Sequence, residues 1–343
     1  MSQPLRPVRI CVVGCGHWGK NLCRNFAQLG HLYAICESSP ERLAAAPAGR
    51  DGARGYARLE EALADPEVEA VAIATPAEAH FAMAMAALRA GKHVFVEKPL
   101  ALDWREGEAM VAEAQRVERV LMVGHLLRYH PAVEKLQELL AEGALGKIEY
   151  IYSNRLSMGK IRREENALWS FAPHDISVIL ALAGRLPLQV SSTGGAYLQP
   201  NIADVTVSNL LFDHGVRAHI FVSWLHPWKE QRLVVLGSRQ MAVFEDTRAD
   251  HKLVLFDKRI EWKDGAPQAG NSVGVPVEFH QEEPLRRECA HFAACVRTRG
   301  RPLTDGAEGV GVLQVLQACQ RSLQLNGEPV QVTAGMAQKV LAL

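Results

Sequence analysis

The chain has 343 residues, 48% hydrophobic and 22% charged, which is enough apolar material for two ordinary domains with a core each. Its 38 basic and 38 acidic residues cancel, without the basic excess of a nucleic-acid or polyanion binder, so a small-molecule partner is expected. No stretch approaches the apolar run of a membrane span and the opening MSQPLRPVRI lacks a signal-peptide pattern, so a cytoplasmic protein with no membrane partner is expected.

In chain order, Val8–Val13 reads as a buried strand running into Gly14, Gly16 and Gly19, spaced GxGxxG, and then into a helical pattern that ends at Gly30. In that setting Gly14 makes the tight turn, Gly16 lets the backbone approach a pyrophosphate, and Gly19 lets the helix pack on the strand. His17 and Trp18, inside the turn, join them as candidate cofactor contacts. The next strand ends at Glu37, eighteen residues past Gly19 and at the place of an acid that accepts adenosine ribose hydroxyls. That favours NAD, while Ser38, Ser39 and Arg42 leave NADP open.

A helix over 56–65 leads to a strand that stops at Thr75 and Pro76, followed by a helix over 79–91 that begins near His80. Another strand stops at Glu97, Lys98 and Pro99, and after a helix over 103–117 a further strand leads to His125, Arg128 and Tyr129. Strands and helices alternating at this interval mean a parallel sheet covered on both faces, with ligands beyond the carboxyl ends of its strands. Lys98 stands out there, between a buried strand and a proline that restricts its backbone, where a fixed ammonium can orient a substrate oxygen and stabilise developing negative charge. The seven cysteines lie in apolar contexts with no CxxC pair, which reads as small core residues and no metal site.

Beyond residue 125 the rhythm changes, which divides the chain into a doubly wound Rossmann domain over 1–125 and an α+β domain over 126–343. A helix over 132–146 and a strand over 147–158 precede a succession of strands from Leu188 to Trp262, separated by turn signals, so a large, mostly antiparallel open sheet is expected. Residues 262–274 read as a mobile loop, and the end of the chain as two helices separated by Gly300 and Pro302, followed by a strand or tail.

Between these strands lies ENALWSFAPHDISVILALAG, residues 165–184. Pro173 suits a helix's first turn and Gly184 its end, which puts His174 at the positive end of the helix dipole, where the neutral imidazole of a base is favoured. On periodicity alone, a satisfied core histidine is favoured over a catalytic one. The segment before it carries Asn154, Arg155, Lys160, Arg162 and Arg163 close to Asn166 and Trp169. Such a cluster suits a phosphate or carboxylate, or else a solvated loop balanced by Glu164 and Glu165. Trp224, in SWLHPWKEQR, suits stacking on a sugar or base, or a place in the core.

The segments GCGHWGKN, ATPAEAH, GKHVFVEKPLA and GHLLRYHPA together resemble the Gfo/Idh/MocA family of NAD(P)-dependent oxidoreductases, which act mainly on sugars, inositols and nucleotide-linked sugars. The resemblance implies that Lys98 lies beside the nicotinamide and the substrate, and that His174 contacts the reacting hydroxyl as the histidine of a D-x-x-x-H pattern. Ser170 stands where that pattern has its acid, so no relay through a carboxylate is implied. The SWL-x-P-x-K-x-R stretch is similar to members that handle nucleotide-linked sugars, and a hydride transfer at position 3 of such a sugar follows, with a UDP-uronic acid among the candidates. His125, Arg128, Asn154, Arg155, Lys160, Arg163, Trp169 and Trp224 are the further substrate contacts expected, and a homodimer or homotetramer formed through the open sheet face is implied. The alternatives are a free-sugar or inositol dehydrogenase with the same machinery, and an NAD-binding regulator without turnover.

Overall fold

The strand-forming runs of the first third are apolar from end to end, as strands buried on both faces must be. A computed structural model describes residues 6–45, 52–159, 161–257, 260–270 and 272–332. It begins with β1 (Ile10–Val13), α1 (Gly19–Gln28), β2 (Leu32–Cys36), α2 (Pro40–Ala45), β3 (Arg54–Tyr56), α3 (Leu59–Ala64) and β4 (Ala70–Ile73). There follow α4 (His80–Arg89), β5 (His93–Glu97), α5 (Trp104–Arg116), β6 (Leu121–Gly124), a short 3-10 turn over Leu126–Tyr129 and α6 (Pro131–Ala141). Next come β7 (Ile148–Leu156), α7 (Ala167–Ala183), β8 (Gln189–Gly195), β9 (Val205–Leu211), β10 (Arg217–Ser223), β11 (Glu230–Gly237), β12 (Gln240–Glu245) and β13 (Leu253–Asp257). The last elements are β14 (Ile260–Lys263), β15 (Ala266–Ala269), β16 (Val275–Pro276), α8 (Pro284–Thr298), α9 (Gly306–Gln324) and β17 (Val330–Gln331). None of the described helices is long and apolar enough to cross a membrane.

The chain forms two compact units, one of the residues up to Tyr129 with Glu282–Leu313, the other of His130–Gln281 with the residues from Gln314 on. In the first, six parallel strands run in the order β3-β2-β1-β4-β5-β6, the doubly wound arrangement that the alternating pattern predicts. Every residue of β1, β4, β5 and β6 is buried. The edge strand β3 is not foreshadowed in the sequence, because three exposed or half-buried residues are too few for a periodicity.

Composition alone places a single boundary at residue 125, whereas Glu282–Leu313 packs with the first unit. The reason is the apolar face of α8, whose Leu285, Cys289, Phe292, Ala293 and Val296 share a core with Ile10, Phe26 and Phe95. Phe292 meets Phe95 edge-on at 5.7 Å and Phe26 at 6.4 Å. Burying a side chain of this size contributes about 2–3 kcal/mol.

In the second unit nine strands run in the order β16-β13-β12-β11-β7-β10-β9-β8-β17. The pair β7–β10 is parallel, and the other pairings are antiparallel. Helix α7 covers one face, over β7, β9 and β10. Alternate residues of β10, Ala218, Ile220 and Val222, are buried. On the neighbouring strand, Tyr152 stacks on His219 with ring centres 5.2 Å apart.

Residues 262–274 are not simply a loop, since β14 and β15 pair as a hairpin. Its turn is Asp264–Gly265, both with positive φ (53° and 77°), the Asp-Gly signal of a two-residue hairpin that the polar composition obscures. All seven cysteines are free and buried.

Candidate active site

The glycine turn joins β1 to α1 in the first unit. Gly14 sits at φ 88°, and a methyl group at Gly19 would fall 1.9 Å from the Gly14 carbonyl oxygen, so these two glycines are dictated by the chain's own packing. Gly16 differs: among the described residues a methyl group there would meet nothing within 4 Å. The space over Gly16 is what a bound diphosphate needs, at the amino end of a ten-residue helix with no side-chain cap. His17 and Trp18 are exposed beside it.

Glu37 closes this turn from below. Its Oε2 accepts from the Cys15 N–H at 2.9 Å, and its Oε1 from the Ser39 N–H at 3.0 Å and from Arg42 at 2.8 Å. The Arg42 guanidinium and these N–H groups outweigh partial burial and hold the carboxyl down at about 2, so it is ionised at neutral pH.

At the carboxyl end of β5, Glu97, Lys98 and Pro99 form a turn with a cis Lys98–Pro99 bond. Glu97 is buried, accepts from Trp18 Nε1 at 2.5 Å, and its Oε2 lies 3.3 Å from the Lys98 backbone N–H. Burial pushes its carboxyl up to about 7, against the Trp18 hydrogen bond and the Lys98 charge. His80, also buried, spans two carbonyls, with Nδ1 2.7 Å from Pro99 O and Nε2 3.0 Å from Thr75 O. Thr75 and Lys98 are half-buried and Pro76 exposed. The fingerprint turn, the β4 loop and the Lys98 turn are therefore tied into one cradle.

At the end of β6, His125 and Arg128 are buried against Glu308, which no local sequence pattern marks. His125 Nδ1 lies 2.6 Å from Glu308 Oε2, and Arg128 lies 4.0 Å from the other carboxylate oxygen. Both side chains are buried beside the Glu308 carboxylate.

In the second unit, α7 begins at Ala167, with the Asn166 side chain capping the Trp169 N–H, and runs through Pro173. The expectation that Pro173 opens the helix is corrected: the side-chain cap lies seven residues earlier. His174 thus sits about two turns in, beyond the reach of the helix dipole, which acts within the first turn. It is half-buried, with its Nδ1 shielded from solvent. The adjacent Asp175 is buried and accepts from Arg155 Nε at 2.7 Å, from Arg155 Nη2 at 3.1 Å and from Ser153 Oγ at 2.6 Å. Ser170 is buried.

The cationic cluster ahead of α7 is smaller than its sequence suggests. Arg155 is spent on Asp175 and Arg162 on Glu165, Arg163 is exposed, and Lys160 lies outside the described residues. Asn154 donates to Glu230 at 2.8 Å, and Trp169 Nε1 to Gln320 at 3.1 Å. Trp224 is fully buried, which makes it a core residue of this unit rather than a stacking surface.

Residues 8–125 match the family described as "Oxidoreductase family, NAD-binding Rossmann fold", and residues 133–243 match the "GFO/IDH/MocA C-terminal domain". The chain belongs to the Gfo/Idh/MocA oxidoreductase family. Among its relatives in that family is a UDP-N-acetylglucosamine 3-dehydrogenase from Acidithiobacillus ferrooxidans, 29% identical over 92% of this chain and 99% of the relative. A crystal structure of that enzyme superposes with a TM-score of 0.83 over 94% of this chain and 99% of that one, at 25% identity. A scyllo-inositol 2-dehydrogenase from Bacillus subtilis is 26% identical over 95% of this chain and 96% of its own length.

As a Gfo/Idh/MocA enzyme, the protein carries its NAD-binding machinery in the first unit. Four residues that the sequence reading did not select hold the selected ones in place: Asp175, Glu308, Gln320 and Glu230. No local pattern marks them, since they act across 20 to 183 positions of sequence. Arg155→Met is expected to cost about 3 kcal/mol in urea unfolding, because it leaves Asp175 buried without its cation. A loss below about 1 kcal/mol, the range of a surface pair, would show that the ion pair is not structural.

Proposed function

We propose that the enzyme oxidises the position-3 hydroxyl of a UDP-linked sugar, or reduces the matching ketone, with NAD as its cofactor. The likeness to UDP-N-acetylglucosamine 3-dehydrogenase carries this reading, because it extends over 99% of that enzyme and so includes its whole substrate half. Lys98, on its fixed turn, holds the reacting oxygen and stabilises the negative charge that develops there. His174 takes the hydroxyl proton in oxidation and returns it in reduction. When bound, the nicotinamide supplies the acceptor for the hydrogen that leaves carbon with its electron pair. A uronic acid would add a carboxylate, for which the exposed Arg163 is the candidate partner.

The nucleotide requirement is tested by calorimetric titration with N-acetylglucosamine, its 1-phosphate and its UDP derivative, in the presence of NAD. The reading expects affinity to rise with each added group. Equal binding of the free sugar would overturn it in favour of a free-sugar or inositol dehydrogenase, the reading that the scyllo-inositol 2-dehydrogenase likeness favours.

Glu37 sets the cofactor preference. A carboxylate held ionised at the end of β2 accepts ribose hydroxyls and repels a 2′-phosphate, while Arg42 is already paired with it. NADH is expected to bind at least about ten-fold more tightly than NADPH, a gap of about 1.4 kcal/mol. Fluorescence titration with both cofactors measures it, and a preference for NADPH would contradict the role given to Glu37.

A further inference from the structure

A second carboxyl, Glu288, is buried on α8 and feels the charge of Glu97. Phe95 and Glu97 are two residues apart on β5 and share a face, while Glu288 and Phe292 are one helical turn apart on α8. With Phe292 packed edge-on against Phe95 at 5.7 Å, the same register brings Glu288 to Glu97, and the charge that Glu288 feels most is that of Glu97. Glu288 is wholly buried, and among the described residues neither of its carboxyl oxygens has a hydrogen-bond partner. Glu97, by contrast, holds the Trp18 indole N–H, and its other oxygen lies so close to Gly124 that a methyl group there would approach it to 2.8 Å.

Two carboxyls in one apolar site do not both ionise, because their repulsion adds to the cost of desolvation. The donors and the Lys98 charge are all on the Glu97 side, so the retained proton belongs on Glu288. Around the pair stand Lys98 beside Glu97, Tyr129 and Cys289 beside Glu288, and the Arg24–Glu283 ion pair between α1 and the start of α8. Among the described residues, the cation that acts on Glu97 is the ammonium of Lys98.

We infer that Glu288 is a buried protonated carboxyl that carries the proton of a Glu97–Glu288 couple and so leaves the charge on Glu97, beside the Trp18 N–H and Lys98. Its effect on turnover rests on the dehydrogenase reading, whereas the couple itself does not.

The test is the melting temperature of the cofactor-free wild type and of Glu288→Gln as a function of pH. A glutamate whose folded pKa lies above its unfolded value adds stability below the unfolded pKa and loses it as pH rises towards the folded one. Glu288→Gln, neutral and near-isosteric, escapes that loss. Its advantage over wild type is expected to grow by about 3 °C per pH unit above roughly pH 5. A difference that stays flat with pH overturns the couple. Should the variant not fold, the wild type alone decides by infrared spectroscopy. The carbonyl band of a protonated carboxylic acid must persist at about pH 8, within the range that buried glutamates reach, and its absence overturns the inference. A protein that passes these tests yet turns over no sugar would sink the substrate reading and leave the couple standing. One that turns over UDP-sugars but fails them loses only the couple.

Discussion

Lys98→Ala is expected to lower kcat about 10³-fold in protein that still folds and still binds NADH. The turn's backbone contacts come from Glu97, His80 and Pro99 and stay in place when the amine is removed, although the charge that faces Glu97 is lost with it. That charge matters most when the hydroxyl oxygen becomes negative, so the loss belongs in kcat more than in KM. Lys98→Arg restores little, because a planar fork does not place its charge where a compact ammonium does. Steady-state rates, with melting curves as the control for folding, make the comparison, and near-normal turnover by folded Lys98→Ala would end the mechanism.

The second large effect is expected at His174. Removing a general base costs about 10²–10⁴-fold, so His174→Ala is expected to lose turnover on that scale, with added imidazole restoring part of it. The surroundings make the variant a clean one: α7 keeps its Asn166 cap, and Asp175 keeps Arg155 and Ser153. A His174→Ala protein that folds and turns over within about two-fold of wild type would return His174 to the core histidine that its periodicity alone suggests.

The first unit was the more legible of the two. Buried strands with helices between them, the glycine spacing, and acids and lysine at the strand ends are all local signals, and each lies in the structure where the pattern puts it. What stayed hidden depends on partners far away in sequence. His125, Arg128 and Arg155 read as exposed cations or pocket residues until Glu308 and Asp175 are brought to them by folding. Trp224 reads as a stacking surface until the sheet buries it. Pro173 reads as a helix start because proline suits that position, yet the Asn166 cap sets the start earlier and the helix tolerates one missing N–H. The return of α8 to the first unit had no composition signal at all, since an amphipathic helix does not state which core it will join.

The proposed reaction is hydride transfer between NAD and a UDP-linked sugar. Its most direct test is absorbance in the reduced-nicotinamide band when UDP-N-acetylglucosamine, its uronic acid and free sugars are added to the protein with NAD. A rise is expected with a UDP-linked sugar, and it vanishes in Lys98→Ala and in His174→Ala. Bound NADH with no redox change on any sugar, linked or free, would contradict it and point instead to a cofactor-binding regulator on the same fold.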